Sequence, residues 1–312
     1  MRGSRRSRPS RLLAQGRGSR RSRPSRLLAQ GGAQGGADRF ASGFLLPGAI
    51  WLTLFFLIPM GILLAISFGY VDEFGNAVYS TRLDNYEQVF DPLFVPVLLR
   101  SVGYAAATVA LCLLIGYPVA YYIARFGGRR RNVLLALVVL PFFVNYLVRT
   151  YAWVALLGDD GVVNGALSSE IRFLNTPWAV IGGLVYGYLA FMILPIYAAL
   201  DRMDPSLIEA GKDLYGGRWQ TFRHVTFPHT IQGVLAGGVL VFLPAVGDFV
   251  SAQLLGGPDE YMIGNLIQQQ FFAAENWPFG AALTTLMMAF LLIFMVLYLR
   301  SSARASEQEA LA

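Results

Sequence analysis

The sequence predicts an all-α membrane protein with six transmembrane helices and both termini in the cytoplasm. Hydrophobic residues make up 55% of its 312 residues and charged residues only 14%, whereas soluble domains average about 25% charged. Six apolar runs each reach the ~20 residues that an α-helix needs to cross a bilayer. Basic residues are concentrated in alternate connections between these runs.

The six apolar runs are expected to form one transmembrane domain over residues 41–304. They lie at residues 44–68, 98–124, 133–156, 177–200, 231–255 and 279–299. Five of them contain a proline, namely Pro59, Pro118, Pro141, Pro195 and Pro244. Each proline removes a helix hydrogen bond and leaves a carbonyl that needs a partner in protein or in a water-filled cavity. Kinked helices around a polar pathway are therefore predicted.

The distribution of arginine and lysine orients the predicted helices. Eleven arginines precede the first run, and other basic residues lie between runs two and three, between runs four and five, and after the sixth. The opposite connections hold only Arg82 and Arg172, against eleven acidic residues. Because cytoplasmic loops carry the excess of basic residues, both termini and residues 204–228 are predicted to be cytoplasmic. The net charge of +6 then reflects topology, and no nucleic-acid partner is expected.

Residues 1–40 differ in composition from the apolar domain. The segment Arg2 to Gly16 recurs unchanged as Arg17 to Gly31. A cationic, low-complexity segment of this kind cannot bury a hydrophobic core, so it is predicted to be a disordered cytoplasmic tail. We expect it to be either an arm that binds anionic lipid headgroups or an incidental duplication or overextended start.

The polar segment between the fourth and fifth runs carries helix signals. Asp204 can cap a helix that begins at Pro205, and Ser206 with Glu209 is an alternative capping box. The pair Gly216-Gly217 would end this helix, so two short helices at an angle are expected. Such a polar pair on the cytoplasmic side can contact a soluble partner.

Residues 204–228 resemble the EAA loop of ABC importer permeases, by which the membrane subunit receives force from its ATPase. The family pattern is Glu-Ala-Ala, three residues, Gly-Ala, and later an aliphatic residue and Pro. Tyr215 stands where the family has its glycine, and Gly216 follows one position later. The resemblance is carried by Glu209, Ala210, Gly211, Phe222, Val225 and Pro228. The coupling residues that it implies are Glu209, Ala210, Gly211, Asp213, Gly216, Gly217, Phe222 and Pro228. An ordinary amphipathic loop is the alternative.

Three further stretches resemble the permeases of spermidine/putrescine ABC importers. They are LPFFVNYLVRTYAW at 140–153, LPAVGDFV at 243–250 with LLGG at 254–257, and MIGNLIQQQF at 262–271 with NWPFGAA at 276–282. The resemblance covers about residues 40–300. It implies the type I ABC importer permease fold, location in the bacterial cytoplasmic (inner) membrane, and a translocation path for polyamines.

The same resemblance implies the partners of the chain. These are a second permease subunit, identical or homologous, two copies of an ATP-binding subunit, and an extracytoplasmic substrate-binding protein, besides membrane lipids. Three alternatives stay open: a permease of this architecture for another solute, a secondary transporter or channel, and a membrane anchor without transport.

Two ionisable residues lie inside the predicted helices, Arg149 in the third and Asp248 in the fifth. Both are about 17 residues beyond the cytoplasmic end of their run, which at 1.5 Å per residue places them roughly 25 Å into the membrane. They are expected to line the substrate path or to form a structural ion pair. Aromatic side chains would add cation–π attraction for ammonium groups, and the candidates are Tyr151, Trp153, Tyr186 and Tyr188.

The sequence contains no evident catalytic or metal-binding set, so it is predicted not to be an enzyme. No Gly-rich phosphate loop followed by Lys-Ser or Lys-Thr occurs, so ATP should be bound by the separate subunit and no cofactor is expected. His224 and His229 have no third ligand, which argues against a metal. Cys112 has no partner for an intramolecular disulfide and is expected to pack as a small apolar residue.

Overall fold

The computed structural model describes residues 46–167 and 172–311, with only the backbone described at 166–167 and 301–311. The predicted tail at 1–40, with its duplication, lies outside the described residues. The chain divides into two units at Pro59–Met60, and the packing given below is that of the second unit. The prolines and polar residues inside the apolar runs determine where its helices bend and end.

The described residues are mostly helical. In chain order the elements are α1 (Leu46–Ser67), β1 (Tyr70–Val71), β2 (Ala77–Val78), α2 (Asp84–Val89), α3 (Val95–Phe126), α4 (Arg131–Val139), α5 (Tyr146–Leu157), α6 (Val162–Leu167), α7 (Pro177–Arg202), α8 (Pro205–Tyr215), α9 (Arg218–Val246), α10 (Val250–Leu255), α11 (Ile263–Phe272) and α12 (Trp277–Leu311). Within the described part, five helices are long and apolar enough to cross a membrane: α1, α3, α7, α9 and α12. A bent pair, Gly128–Phe143 with Tyr146–Gly165, would be the sixth.

The third apolar run is not the single helix that the sequence predicted. Its two halves meet at 90°, because Pro141 lies in a 3-10 turn and Val144 is extended. Asn145 then begins a new helix by accepting a hydrogen bond from the N–H of Leu147 at 2.9 Å. A proline followed by a capping side chain thus divides an otherwise continuous apolar segment.

The helix that corresponds to the fifth apolar run, α9, is displaced toward the N-terminus relative to the predicted position. It begins at Arg218 and ends at Val246, so the second helix of the polar pair is not short but continues into the membrane-spanning segment. A π-helical turn at Phe222–Thr226 directly precedes Pro228, whose ring would clash with the carbonyl four residues earlier in a regular α-helix. A break at 247–249 separates α9 from α10.

A short hairpin follows α1, which the all-α prediction omitted. Strand β1 pairs antiparallel with β2, with Tyr70 opposite Val78. Asp72 accepts hydrogen bonds from the N–H groups of Asn76 at 2.7 Å and Phe74 at 3.0 Å. The bond from Asn76 is the main reason that the pKa of Asp72 is lowered. Two-residue strands give too little alternation to be visible in the sequence.

Helices α3, α7 and α9 form the central core. The buried side chains at their contact include Cys112, Ile193 and Val241, so the expected packing role of Cys112 is confirmed. Gly233 and Gly237, one turn apart on α9, allow the close approach to α7, because a Cβ at Gly233 would lie 2.8 Å from the carbonyl oxygen of Pro195. Small residues at this spacing permit tight packing of membrane helices.

Candidate functional site

A buried carboxylate lies at the break between α9 and α10. Asp248 is 6% exposed and sits one residue beyond the C-cap Gly247, not inside a continuous helix as the sequence suggested. The amide of Asn265 on α11 donates to the carbonyl of Phe249 at 2.8 Å. Gly264 brings α11 close to this break, since a Cβ there would lie 2.5 Å from the carbonyl oxygen of Gly247. The position of Asp248 is therefore held by the surrounding backbone.

Neutral donors satisfy the Asp248 carboxylate. Its Oδ1 accepts from the N–H of Ser251 at 2.9 Å. Its Oδ2 accepts from the hydroxyl of Tyr188 at 2.9 Å, from the hydroxyl of Tyr146, and from Ser251 Oγ at 3.4 Å. A carboxylate has about four lone-pair sites, so these four bonds occupy the acceptor capacity of Asp248 without a cation.

Arg149 lies over the ring of Tyr146, whose hydroxyl belongs to this network. It is 9% exposed, and its guanidinium carbon is 5.3 Å from the Tyr146 ring centroid and 5.6 Å from that of Tyr186. Its Nη1 donates to the carbonyl of Pro141 at 3.4 Å. Among the described residues the only ion pair is Arg131–Asp201, so Arg149 and Asp248 do not form the direct pair considered above. The equal membrane depth predicted for Arg149 and Asp248 assumed a straight helix in the third run. The bend in that run removes this basis.

Two cavities adjoin the cluster. One of about 400 Å³ is lined by Asn145, Tyr146, Arg149 and Tyr188 among others, and one of about 210 Å³ by Arg149 and Tyr186. Within the described part of the chain, the lining includes the tyrosines that bind Asp248 but not Asp248 itself. A ligand in the larger cavity would meet the Tyr146 and Tyr188 side chains before the carboxylate.

The structure brings together most of the predicted path residues. Tyr186 contacts both Arg149 and Trp153: the guanidinium lies over its ring, and the Trp153 ring packs edge-on with the ring centroids 5.6 Å apart. Tyr151 is 59% exposed, and no described contact joins it to the cluster. Sequence reasoning missed Tyr146 and Ser251. The spacing of Tyr146, one turn before Arg149 on the same helix face, was a signal that could have identified the first.

The polar segment at 204–228 forms a helix pair whose turn is at Gly216. Asp204 is the observed cap, accepting from the N–H of Ser206 at 2.9 Å, and that bond lowers the pKa of Asp204. Gly216 has φ +68° and its N–H donates to the carbonyl of Lys212 at 2.8 Å. This left-handed conformation favours glycine. The departure at Tyr215 therefore moves the turn by one residue and does not abolish it.

Gly211 is the contact point within the helix pair. It is buried, and a Cβ there would lie 2.9 Å from the methyl carbons Thr221 Cγ2 and Val225 Cγ2. The glycine thus faces α9 and sets how closely α8 packs on it. Of the other predicted coupling residues, Phe222 packs edge-on against Tyr117 at 5.4 Å. Those on the outer surface are Glu209, Ala210, Asp213, Gly216 and Pro228, with Gly217 half-buried.

A multi-helix membrane bundle with broken helices, a shielded intramembrane carboxylate and a polar helix pair defines a transport permease, and the comparison with known families agrees. Residues 113–307 match the family described as "Binding-protein-dependent transport system inner membrane component". The chain belongs to this family and is a multi-pass inner membrane protein.

Curated relatives are similar along most of their length. The chain is 43% identical over 253 residues to the "Spermidine/putrescine transport system permease protein PotB" of Haemophilus influenzae, covering 78% of this chain and 88% of that one. It is 37% identical over 258 residues to the protein of the same name in Escherichia coli K12, covering 81% and 94%. The resemblance drawn from the three sequence stretches is confirmed, and these relatives are transport permeases and not enzymes.

A solved structure supports the fold. A permease chain from a bacterial ABC transporter "involved in the import of the acidic polysaccharide alginate" superposes with a TM-score of 0.68, at 21% identity, covering 86% of this chain and 96% of that one. The predicted fold of ABC importer permeases is therefore confirmed.

Proposed function

We propose that the chain is the permease subunit of an ATP-driven importer that moves polyamines of the spermidine and putrescine class. The observation that carries the proposal is the similarity to two permeases named for these solutes, which extends over 88% and 94% of their lengths. The substrate would be delivered by an extracytoplasmic binding protein and would pass between this chain and a second permease subunit.

The chemistry of the Asp248 cluster suits an oligoamine. An ammonium group that enters the adjoining cavity meets the Tyr188 side chain, whose ring can contribute about 0.5–2 kcal/mol of cation–π attraction, whereas Arg149 already lies over the Tyr146 ring. Both hydroxyls donate to the Asp248 carboxylate. If they rotate away, the carboxylate is free to accept from the ammonium, so the tyrosines would act as a neutral cover over the charge.

The helix pair α8–α9 would receive the work of ATP hydrolysis from two copies of a separate ATPase. Its exposed acidic side chains, Glu209 and Asp213, are available to a soluble partner. Through Gly211 the outer helix packs directly on the start of α9, and α9 leads to the break that holds Asp248. Movement of α8 would therefore be transmitted along one continuous helix to the carboxylate.

Transport by the reconstituted complex tests this function. The chain, with its partner permease, ATPase and binding protein, is incorporated into vesicles, and uptake of radiolabelled spermidine and putrescine is measured with and without ATP. Uptake that requires both ATP and the binding protein is expected. A variant ATPase that cannot hydrolyse ATP serves as the control.

Two results would contradict the proposal in different ways. ATP-dependent uptake of another solute with no competition by polyamines would keep the importer and replace the substrate. Uptake that proceeds without the ATPase, driven by an ion gradient, would indicate a secondary transporter.

A further inference from the structure

A cavity of about 760 Å³ lies between the end of α3, the helix α8 and the start of α9. Three of its ten lining residues are the cations Arg125, Lys212 and Arg218, and none of the ten is acidic. Most of the remaining wall is apolar or aromatic, including Tyr121, Phe126 and Trp219. The cavity therefore combines positive charge with an apolar wall, and among the described residues no carboxylate lines it to neutralise the charge.

Arg125 has unused hydrogen-bonding capacity beside this cavity. Within the described residues, its Nε and Nη2 atoms are buried and have no hydrogen-bond partner. A guanidinium is always protonated and acts only as a donor, and buried polar groups of this kind are rarely left unpaired. Two adjacent guanidinium nitrogens match the two oxygens of a phosphate. Because both nitrogens are closed off from solvent, a turn of the guanidinium would bring them to an anion held in the cavity.

We propose that this cavity binds the phosphate group of an anionic membrane phospholipid. Arg125 is in the last turn of α3, a helix of 32 residues that crosses the membrane, so the cavity lies at the level of the headgroups. Phe126 and Trp219 are 68% and 70% exposed and would pack against the glycerol and upper acyl chains. Basic pockets between membrane helices bind anionic headgroups in this way.

The surroundings favour a lipid over the two other anionic occupants. Free phosphate would neutralise the cations but leave the aromatic wall exposed to water. The ATPase, in the function proposed above, would meet the outer surface of α8, where Glu209 and Asp213 are acidic, whereas the cavity is on the side of α8 that faces α3. A bound lipid would attach the helix pair to the membrane surface. This inference does not depend on the transported solute.

Lipid retention by the purified complex measures the binding directly. The complex is reconstituted in nanodiscs of phosphatidylcholine with a minor fraction of phosphatidylglycerol, then released into detergent and analysed by native mass spectrometry. We expect the wild type to retain phosphatidylglycerol in preference to phosphatidylcholine. Excess inorganic phosphate should not displace it, because phosphate cannot cover the apolar wall.

Three variants localise the site. Arg125→Gln and Lys212→Gln should each weaken phosphatidylglycerol retention roughly tenfold, the effect of losing one charge-assisted hydrogen bond. Lys212 is exposed on α8, so its variant should remain folded even if Arg125→Gln does not. Arg223→Gln removes the same charge from a neighbouring exposed position outside the cavity and should retain lipid like the wild type.

Three results would overturn the proposal. Equal retention by Lys212→Gln, Arg223→Gln and the wild type would show that the cavity does not select the lipid. Displacement of the lipid by inorganic phosphate would assign the site to a soluble anion. In the third result, Lys212→Gln would retain phosphatidylglycerol like the wild type in mixed nanodiscs but lose the ATPase in nanodiscs of phosphatidylcholine alone. This result would assign the cavity to the contact with the ATPase.

Discussion

Asp248 combines deep burial with four neutral hydrogen-bond donors, and this combination determines how it should respond to substitution. An asparagine can keep the bond from the N–H of Ser251, and its amide group can donate to the hydroxyl oxygens of Tyr146 and Tyr188, which rotate to accept. The shape and most of the bonds of the site therefore survive while the charge is lost. The structural cost should stay near 1–3 kcal/mol.

For Asp248→Asn we predict near-normal membrane yield and about tenfold lower polyamine uptake, because the ammonium loses a charged acceptor worth about 1.5–3 kcal/mol. Uptake and yield are compared for the wild type, Asp248→Asn and Tyr188→Phe, which keeps both the carboxylate and the ring. The double variant Asp248→Asn with Arg149→Gln tests the ion-pair alternative. Recovery of a lost yield in the double variant would make Asp248 structural.

At Gly211 two opposing effects can be compared. Alanine in place of a helical glycine gains about 0.5–1 kcal/mol, but here its Cβ would lie 2.9 Å from two methyl carbons, and overpacking costs about 1–3 kcal/mol. The clash should prevail. We predict that Gly211→Ala lowers the thermal unfolding midpoint and ATP-driven uptake.

A compensating change separates packing from loss of a specific docking contact. Val225→Ala removes one of the two clashing methyl groups and leaves Thr221 Cγ2 in place, so it should restore part of both properties to Gly211→Ala. Ser206→Ala, an exposed change on the same helix, should behave like the wild type. No recovery in the double variant would contradict the role assigned to the contact between Gly211 and Val225.

At the scale of helices, the sequence located the membrane-spanning runs but not their breaks. The long apolar runs predicted the membrane-spanning parts of α3, α7 and α12 nearly correctly. Asp204 with Pro205 predicted the start of α8. A kink at Pro141 was predicted, but the full break at Val144 was not, because one capping side chain, Asn145, barely changes the hydropathy of the run. The position of Asp248 was missed for the same reason, since the length of a run does not reveal where a helix ends inside it.

The contacts of Tyr146 and Tyr188 with Asp248 could not be predicted from the sequence, for a different reason. Tyr146 and Tyr188 reach Asp248 from helices 102 and 60 residues away along the chain. Such contacts depend on how the helices pack. The periodicity of one segment gives the face of a residue but not the partner that this face meets. The candidates Asp248, Arg149 and Tyr188 were available because intramembrane polar residues are rare.

The bend in the third run yields a prediction about helix capping. Asn145→Ala removes the acceptor that begins α5 and should destabilise the protein by about 1 kcal/mol, seen as a lower thermal unfolding midpoint in detergent. Asn145→Ser keeps a neutral acceptor and should lose less. Equal losses in the two variants would argue that the cap does not hold the bend.

At the scale of the whole molecule, the open question is whether the bent pair crosses the membrane. The five long helices and the pair allow five or six crossings. Five and six crossings predict different topologies. If the bent pair entered the membrane and returned to the same side, every later loop would lie on the opposite side from the one predicted with six crossings. The basic segment around Arg129 to Arg131 and the helix pair at 204–228 could then not both be cytoplasmic. The charge distribution favours six crossings, since all basic connections then lie on one side.

Single-cysteine labelling can therefore decide the topology. The sequence contains one cysteine, Cys112, and it is buried, so the background should be low. With six crossings, cysteines at the exposed positions Glu73, Asp160 and Asp259 should react with an impermeant maleimide from outside. Cysteines at Arg129 and Ser206 should react only after permeabilisation. External labelling at Ser206 together with protection at Asp160 and Asp259 would show five crossings, and would place the α8–α9 pair on the side of the membrane away from any ATPase.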